Sequence, residues 1–235
     1  TIVTLNRGPV NALTPQFLMA FNDLLNQLAA DDTVRSVVLA SPFKVFSAGL
    51  DLKEAQGFDI AAQNAIVEGL NVAFTTLFAF PKPTIVATQG AAIAGGLFFV
   101  LASDCRVASS RASFGLAEVR VGADFPVGPL EIARAMLNPN DLRRLMLSGQ
   151  PIRADAAMAA GIVDVIVEDD EVMPRALSVA RDFATIPPQT YASVKRQTRG
   201  AVVDLITDAM AAGGNTPEGG WFNTETKAAM AAMIG

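Results

Sequence analysis

The sequence predicts an α/β protein whose mostly parallel strands are connected by helical crossovers. Short, strongly apolar runs alternate with longer segments in which apolar residues recur every three or four positions. This alternation of strand and helix patterns is typical of parallel strands joined by crossover helices. With 235 residues, of which 51% are hydrophobic, the chain can bury a large core in one large domain or two small ones.

Strands and helices alternate through the first half of the chain. Thr14 and Pro15 supply an N-cap and a first-turn proline for a helix whose apolar residues keep helical spacing. Residues 61–80 predict a second helix, which Pro81 ends because proline cannot continue a helix. Buried strands are predicted at residues 1–5, 36–40 and 84–88.

Helical patterns dominate the second half. An apolar stretch at residues 90–102 predicts a strand, a turn and a helix. Further short strands are predicted at residues 105–108, 112–114 and 162–167. Helices are predicted at residues 130–137, 139–147, 154–160, 170–186, 189–210 and 219–234. We therefore expect an α/β core at residues 1–186 and a helical C-terminal region at residues 187–235, with a break at residues 213–215.

Composition excludes several classes of function. The net charge of −5 leaves no basic face that could follow a nucleic acid backbone, so no nucleic acid partner is expected. The absence of histidine excludes catalysis by imidazole and removes the commonest metal ligand, so no metal site is expected. The longest apolar stretch is shorter than the roughly 20 residues that cross a bilayer, so no membrane segment is expected.

Two features of the sequence bear on the cellular compartment of the protein. The single cysteine, Cys105, suits a reducing environment. We expect a cytoplasmic protein if the source is bacterial. Because the chain begins at Thr1 without methionine, we also expect a missing initial segment, and an organellar leader is the alternative.

Two glycine-containing stretches, residues 45–53 and 90–98, place small residues where backbone N–H groups can converge on one carbonyl oxygen. Such a pair of amides forms an oxyanion hole. In the second stretch the glycines open an apolar segment that is predicted to be a helix, so its positive end would face a developing negative charge. Glu118 is the candidate carboxylate that completes a proton-transfer site. Asp51 is favoured as an N-cap of the following helix over a ligand contact.

Taken together in order and spacing, these residues resemble the crotonase superfamily, also called the enoyl-CoA hydratase/isomerase family. The resemblance covers essentially the whole chain and is strongest to 3,2-enoyl-CoA isomerases. Its motifs are Asn-Arg at 6–7, Asn-Ala-Leu at 11–13, Phe-Ser-Ala-Gly-Leu-Asp-Leu at 46–52, Ala-Gly-Gly at 94–96, Ser-Asp-Cys-Arg at 103–106, Phe-Gly-Leu-Ala-Glu at 114–118, Gly122, Leu-Ser-Gly at 147–149 and Gly-Ile-Val-Asp at 161–164.

The resemblance implies a spiral of ββα units and helical C-terminal segments that build homotrimers or dimers of trimers. It implies acyl-CoA thioesters as substrates, with coenzyme A present as part of the substrate and no separate cofactor. By position, the N–H groups of Leu50 and Gly95 correspond to the oxyanion hole. The residues that match coenzyme A or substrate contacts are Ala12, Leu13, Ser47, Ala48, Asp51, Leu52, Gly96 and Phe98.

The carboxylates distinguish the subclasses of this family. Its typical hydratases carry two glutamates, because adding water to an alkene requires a base for the water and an acid for the α-carbon. Here the first position is Phe98 and the second is Glu118. The dienoyl-CoA isomerases and haloaryl-CoA dehalogenases of the family use an aspartate at the position of Pro126, and Asp124 lies two residues earlier.

We therefore expect a single-base isomerase in which Glu118 moves a proton from C2 to C4 of a 3-enoyl-CoA. Apolar neighbours such as Phe98 and Phe99 should raise the pKa of Glu118. One alternative is a hydratase or other hydrolytic member in which Asp124 or Glu131 supplies the second carboxylate. The other alternative is a non-catalytic acyl-CoA-binding protein. The pocket for the acyl tail is expected to form from residues 66–80 and C-terminal helices.

Overall fold

Two sheets and ten helices make up the part of the chain that the computed structural model describes, residues 1–213 and 219–234. The strands are β1 (Ile2–Thr4), β2 (Val37–Ala40), β3 (Val45–Ser47), β4 (Thr84–Thr88), β5 (Ala91–Ile93), β6 (Cys105–Ser109), β7 (Ser113–Gly115), β8 (Ile152–Arg153) and β9 (Val165–Val167). The helices are α1 (Pro15–Ala30), α2 (Leu52–Ala55), α3 (Ile60–Ala79), α4 (Phe98–Leu101), α5 (Val127–Met136), α6 (Pro139–Ser148), α7 (Ala154–Ala159), α8 (Val172–Phe183), α9 (Pro188–Ala211) and α10 (Thr226–Ile234).

The larger sheet is entirely parallel, with strand order β1-β2-β4-β6-β9. Its central strands are buried along their whole length, which explains why they are continuous apolar runs in the sequence. One face packs on α8 through Val172, Ala176 and Ala180. The chain is therefore an α/β protein of the predicted class, with its sheet covered by helices.

The smaller sheet has the order β3-β5-β7-β8, with β7 and β8 antiparallel and the other pairs parallel. Each of its first three strands follows the larger-sheet strand that precedes it in sequence, so pairs of short strands are succeeded by helices. This is the ββα repeat that the resemblance implies. The C-terminal part is helical, as expected.

Side-chain caps begin the two long helices of the N-terminal half, at the predicted Thr14 for α1 and at Asp59, which was not predicted, for α3. The Thr14 side chain accepts a hydrogen bond from the Phe17 amide at 3.2 Å and caps α1. Asp59 caps α3 in the same way, through the Ala62 amide at 2.8 Å. Helix α3 ends directly before Phe80, one residue ahead of Pro81.

Helix α9 is attached to the sheet by a buried charged network. The Asp104 carboxylate accepts hydrogen bonds from Lys195 at 2.7 Å and Tyr191 at 2.8 Å, and pairs with Arg199 at 3.0 Å. Asp104 also accepts from the Thr84 amide and hydroxyl, both at 2.9 Å, at the start of β4. One carboxylate therefore joins α9 to the beginning of the sheet strands.

Two short strands were not predicted. The strands β3 and β8 were not expected, because runs of two or three residues carry too little periodicity to be distinguished from loops. The strand, turn and helix predicted at residues 90–102 are confirmed as β5, a 3₁₀ turn at Ala94–Leu97 and the four-residue helix α4. Gly95 and Gly96 lie in the tight turn that leads into this helix.

The last helix of the C-terminal region begins later than predicted. Helix α10 begins at Thr226, and the structure gives no helix at residues 219–225. The predicted break begins at Gly213, whereas residues 214 and 215 lie outside the described part of the chain. The division into residues 1–186 and 187–235 stays a prediction. Across residues 1–213 and 219–234, no helix has the length and apolar character needed to cross a bilayer.

Candidate active site

A cavity of about 670 Å³ opens between the N-terminal loop, the smaller sheet and the C-terminal segment. Leu70 of α3 lines it, and so do residues from the segments 7–12, 48–53, 93–98, 117–129 and 221–234. The first four segments follow β1, β3, β5 and β7, so the fold gathers loops from the same ends of its strands. The cavity is therefore positioned by the sheet topology.

The loop after β3 presents one free backbone amide to this cavity. Leu13 pairs with the loop as a single parallel bridge. The Leu13 amide donates to the Gly49 carbonyl at 2.7 Å, and the Asp51 amide donates to the Leu13 carbonyl at 3.0 Å. Within the described chain no acceptor takes the N–H of Leu50, which lies between these bonded groups and lines the cavity. Gly49 has a φ of 78°, the left-handed conformation that glycine adopts without strain.

The loop after β5 presents a second amide close to the first. Gly95 lies in the first turn of the 3₁₀ segment, where N–H groups have no partner within the turn. A Cβ atom on Gly95 would lie 3.8 Å from the Gly49 Cα, and one on Gly96 would lie 2.4 Å from the Ser47 carbonyl oxygen. Only glycines let the two loops approach this closely. The 3₁₀ turn runs directly into α4, so Gly95 lies in the first turn of one short helical segment, and a contribution from its dipole stays a prediction.

Glu118 supplies a buried carboxylic acid to the same cavity. It begins a 3₁₀ turn at Glu118–Val121, and only 8% of the residue is exposed. Its Oε2 atom has no hydrogen-bond partner in the described chain. Burial raises the pKa of Glu118 to about 8, opposed only by a hydrogen bond from its own backbone amide. The predicted rise of this pKa is thus confirmed, and the group can bind or release a proton near neutral pH.

Asp51 is a second carboxylate of the cavity wall, but its environment is opposite. Burial pushes its pKa up, and hydrogen bonds from Arg7 and from the Glu54 amide outweigh that effect, so the pKa of Asp51 is lowered. Its side chain caps α2 and pairs with Arg7 at 2.8 Å. The capping role favoured from the sequence is confirmed. Asp51 stays ionised and paired, which makes it a poor proton acceptor.

The residues predicted for the site fall into two groups. Those that line the cavity are Ala12, Ala48, Leu50, Asp51, Leu52, Gly95, Phe98 and Glu118. Leu13, Ser47 and Gly96 are buried behind the wall. The Ser47 hydroxyl donates to the Asn11 carbonyl at 2.8 Å, and Leu13 anchors the Leu50 loop. For these three residues the geometry indicates support of the loops and not ligand contact.

Neither carboxylate offered as a second catalytic group reaches the cavity. Asp124 is exposed, and its carbonyl accepts a hydrogen bond from the Trp221 indole at 3.0 Å. Glu131 pairs with Arg134 one turn along α5. Although both belong to or adjoin the 117–129 segment, they are not part of its wall, which here consists of apolar residues such as Pro126 and Pro129. In this structure neither residue provides the second carboxylate that the hydratase alternative would draw from it.

The sequence predicted that C-terminal helices contribute to the pocket, but it did not identify the residues that do so. Trp221, Met233 and Ile234 line the cavity from residues of the same chain. The expected tail pocket from residues 66–80 is represented by Leu70 alone. The end of the chain is unusually apolar, which indicates that it is packed against another surface. The sequence does not indicate that this surface is the cavity.

A sequence model described as enoyl-CoA hydratase/isomerase matches residues 1–214. The chain belongs to the enoyl-CoA hydratase/isomerase family. Members of this crotonase-fold family are enzymes of acyl-CoA metabolism, so the cavity is the candidate site for an acyl-CoA thioester. Across the described residues, no group of three histidine, cysteine, aspartate or glutamate side chains is arranged to hold a metal ion.

Two bacterial relatives of this enoyl-CoA hydratase/isomerase family member share about a third of the aligned residues. The probable enoyl-CoA hydratase EchA17 of Mycobacterium tuberculosis is 32% identical over 196 residues, covering 83% of this chain and 74% of the relative. A probable enoyl-CoA hydratase of Bacillus subtilis is also 32% identical, over 197 residues, covering 82% and 76%.

Solved structures share the fold at similar identity. The probable enoyl-CoA hydratase EchA3 of Mycobacterium tuberculosis is 29% identical with a TM-score of 0.83, covering 91% of each chain. An enoyl-CoA hydratase/isomerase of Xanthobacter autotrophicus is 26% identical with a TM-score of 0.86, covering 99% of this chain and 88% of the other. A second solved structure of this same Mycobacterium tuberculosis protein, described there as an enoyl-CoA isomerase, is 29% identical to this chain with a TM-score of 0.82, covering 90% and 93%.

Proposed function

We propose that this protein is an isomerase that moves the double bond of a 3-enoyl-CoA thioester from position 3 to position 2. The observation that carries the proposal is that Glu118 is the one unpaired carboxyl among the described residues of the cavity wall. Phe98 occupies the place where a typical hydratase of the family has its first glutamate, and it lines the same cavity. A phenyl ring cannot transfer a proton, so a single acid–base group must serve both proton transfers.

The reaction would proceed in two balanced proton transfers. The ionised Glu118 removes a proton from C2, and the electrons of that C–H bond move toward the thioester oxygen to give a dienolate. The protonated Glu118 then delivers its proton to C4, where the C3–C4 π electrons form the new C–H bond. The C1–C2 π electrons become the C2–C3 double bond, and the oxyanion electrons restore the thioester carbonyl. One carboxylate suffices when both carbons lie on the same face of the substrate and within its reach.

The dienolate oxygen requires hydrogen-bond donors that are already in place. The amides of Leu50 and Gly95 are suited to this role, because the loops that carry them are in contact and the Leu50 amide has no protein acceptor. Each donor of this kind contributes about 3 kcal/mol to the stability of the transition state. We propose that no cofactor is needed beyond the coenzyme A that the substrate carries.

Hydration of a 2-enoyl-CoA is the second candidate function, and the names of the relatives favour it. EchA17 and the Bacillus subtilis protein are both described as probable enoyl-CoA hydratases. Against it, hydration needs a group that activates water in addition to the one that protonates the α-carbon. Asp51, the other carboxylate of the described wall, is paired with Arg7.

Two substrates separate these functions. The purified protein is incubated with 3-hexenoyl-CoA and, separately, with 2-hexenoyl-CoA, and the products are followed by ultraviolet absorbance and mass. Isomerisation adds ultraviolet absorbance of the conjugated thioester without a change in mass, whereas hydration adds the mass of one water. Hydration without isomerisation would overturn the proposal. Failure to exchange deuterium at C2 of a bound acyl-CoA would indicate a non-catalytic binding protein.

Substitution of the proposed base tests the mechanism directly. Glu118→Gln should lower kcat for isomerisation by about 100- to 10,000-fold, because an amide cannot accept the C2 proton. Binding of a saturated acyl-CoA should persist. Glu68→Gln, which changes an exposed carboxylate of α3 outside the wall, is the matched control. Activity retained by Glu118→Gln would remove this residue from the mechanism.

We also propose that the protein assembles as a homotrimer or as a dimer of trimers. Large apolar side chains on the surface support an interface, since Leu147 of α6 is 74% exposed and Val119 beside Glu118 is 48% exposed. Light scattering of the eluting protein should give three or six times the mass of the chain. A monomer at micromolar concentration would contradict this proposal.

A further inference from the structure

The C-terminal segment, defined as residues 219–234, reaches back to the loop that carries Glu118. The Thr226 hydroxyl donates a hydrogen bond to the Gly122 carbonyl at 2.5 Å. The Asn223 side-chain amide donates to the same carbonyl at 3.2 Å, and the Trp221 indole donates to the Asp124 carbonyl at 3.0 Å. Three side chains from about 100 residues further along the chain therefore bind the backbone directly after Glu118.

The two peptide units that flank the Gly122 Cα atom are both hydrogen-bonded to the Glu118 carbonyl. The Gly122 amide donates to the Glu118 carbonyl and ends the 3₁₀ turn that Glu118 begins. The Ala123 amide donates to the same carbonyl at 3.1 Å. The hydroxyl of Thr226 thus continues a chain of hydrogen bonds that leads to the backbone of the proposed base.

Close contact at this point depends on a glycine. Gly122 has a φ of 65°, and a Cβ atom there would lie 3.2 Å from the Thr226 Cα. Thr226 is completely buried, so water cannot replace the Gly122 carbonyl as the acceptor of its hydroxyl, and the other acceptor within reach, Asn223 Oδ1, lies farther away at 3.2 Å. The two segments are fitted to each other at backbone level.

We propose that Thr226 and Asn223 are positioning residues, which hold the Glu118 turn so that the carboxyl faces the cavity. The inference rests on the proposed function, in which Glu118 carries both proton transfers. It assigns the C-terminal segment a part in catalysis, beyond covering the core.

Contacts from outside the turn are expected to stabilise the buried position of Glu118. A 3₁₀ turn of four residues has weak internal hydrogen bonds, and a buried carboxyl with a partnerless oxygen costs free energy. Released from Gly122, the turn would relax and let the Glu118 carboxyl reach water. The same segment excludes that water, since Trp221 and Met233 form part of the cavity wall.

The test compares three variants with the wild-type protein. Thr226→Val removes the hydroxyl and keeps the shape, whereas Thr226→Ser keeps the hydroxyl. Thr207→Val is the matched control, because the hydroxyl of this exposed threonine bonds only a carbonyl of its own helix α9. The measurements are kcat and KM with 3-hexenoyl-CoA, the melting temperature, and the pKa of Glu118. This pKa comes from a pH titration of the ¹³C carboxyl resonance of Glu118, which is assigned as the resonance that disappears in Glu118→Gln.

A positioning role predicts a specific pattern. Thr226→Val should lower kcat by about 10- to 100-fold with KM changed less than about twofold, because misplacement of a catalytic group affects chemistry more than binding. The pKa of Glu118 should fall from about 8 toward 4.5 as the carboxyl gains water. Thr226→Ser should restore both values to within about threefold and half a pH unit of the wild type.

Three results would overturn the inference. They are a kcat of Thr226→Val equal to that of Thr207→Val, an unchanged Glu118 pKa, or a loss that follows the melting temperature alone. If Thr226→Val does not fold, the variant Asn223→Asp is measured in its place. At this exposed position aspartate keeps the side-chain oxygen that accepts hydrogen bonds and lacks the N–H group that donates to the Gly122 carbonyl. The proposed function fails separately if the wild type does not isomerise 3-hexenoyl-CoA, and the carboxyl titration then decides the positioning role alone.

Discussion

Two carboxylates in one cavity wall have pKa values that are shifted in opposite directions. Glu118 is buried without a charged partner, and its pKa rises to about 8. Asp51 is paired with Arg7 and caps α2, so its pKa is lowered. Residues of similar chemistry are thereby separated into one proton carrier and one fixed anion.

The pH dependence of catalysis follows from the state of Glu118. Only the ionised carboxylate can remove the C2 proton, so kcat/KM for isomerisation should rise with pH and level off above a pKa near 8. Steady-state rates measured across this range with 3-hexenoyl-CoA provide the check. A profile that is already flat at pH values near 5 would show that the base has an ordinary carboxyl pKa.

The same group should make folding depend on pH. Between pH 4.5 and about 8 the folded state keeps the Glu118 proton, while the unfolded state releases it. Raising the pH therefore favours unfolding, with a limiting slope of about 1.4 kcal/mol per pH unit from this group. Urea unfolding of the wild type and Glu118→Gln should diverge over this range, with the wild type losing stability relative to the variant. Parallel curves would contradict the buried, proton-retaining state.

At the scale of elements, a single buried carboxylate holds the charged network between α9 and the sheet. Asp104 is the anion that faces Lys195 and Arg199, all of them largely buried. Burial lowers the pKa of Lys195 to about 8, against the attraction of Asp104. The network places two cations where water cannot solvate them, so removal of the anion leaves both uncompensated.

Removal of the Asp104 charge should weaken the attachment of α9 to the sheet and so destabilise the fold. Asp104→Asn should lower the free energy of unfolding by about 3 to 5 kcal/mol, the cost of breaking a buried ion pair by removing one partner. Chemical denaturation measures the loss. Asp208→Asn on the exposed face of α9 is the control, with an expected change of less than about 0.5 kcal/mol. A similar small effect at Asp104 would show that the network contributes little.

Elements with strong local signals were predictable from the sequence, and those defined by distant partners were not. Helices α1 and α3 carry caps and several turns of periodic apolar residues, which local physics suffices to identify. Strand β3 has three residues and exists because β5 lies beside it. In the site, the family motifs indicated Leu50, Gly95 and Glu118, whereas the contacts of Trp221 and Thr226 depend on how the chain folds back.

At the scale of the whole molecule, one cavity joins the N-terminal loop to the C-terminal segment. Arg7 and Ile234 line the same wall although they lie at opposite ends of the described chain. A ligand that fills this cavity contacts both ends and binds only the folded state. Its binding free energy is therefore added to the stability of the entire fold.

Ligand-induced stabilisation should accordingly be large. Hexanoyl-CoA at about 100 times its Kd should add about 2.7 kcal/mol and raise the melting temperature by about 5 to 10 °C in a protein of this size. Thermal unfolding with increasing ligand measures the shift. Glu118→Gln should show the same shift, because its cavity still accepts the thioester. No shift at millimolar ligand would contradict an acyl-CoA site.

The bridge between Leu13 and Leu50 makes the number of residues in the loop after β3 a functional property. Along an extended backbone, successive amides point alternately to opposite sides. Here Gly49 and Asp51 bond to Leu13, so the intervening Leu50 amide is directed to the other side. Inserting or deleting one residue would exchange these orientations and turn a carbonyl toward the thioester oxygen. The direction of the catalytic amide is therefore set by the residue count between β3 and the Leu13 bridge, and not by the Leu50 side chain.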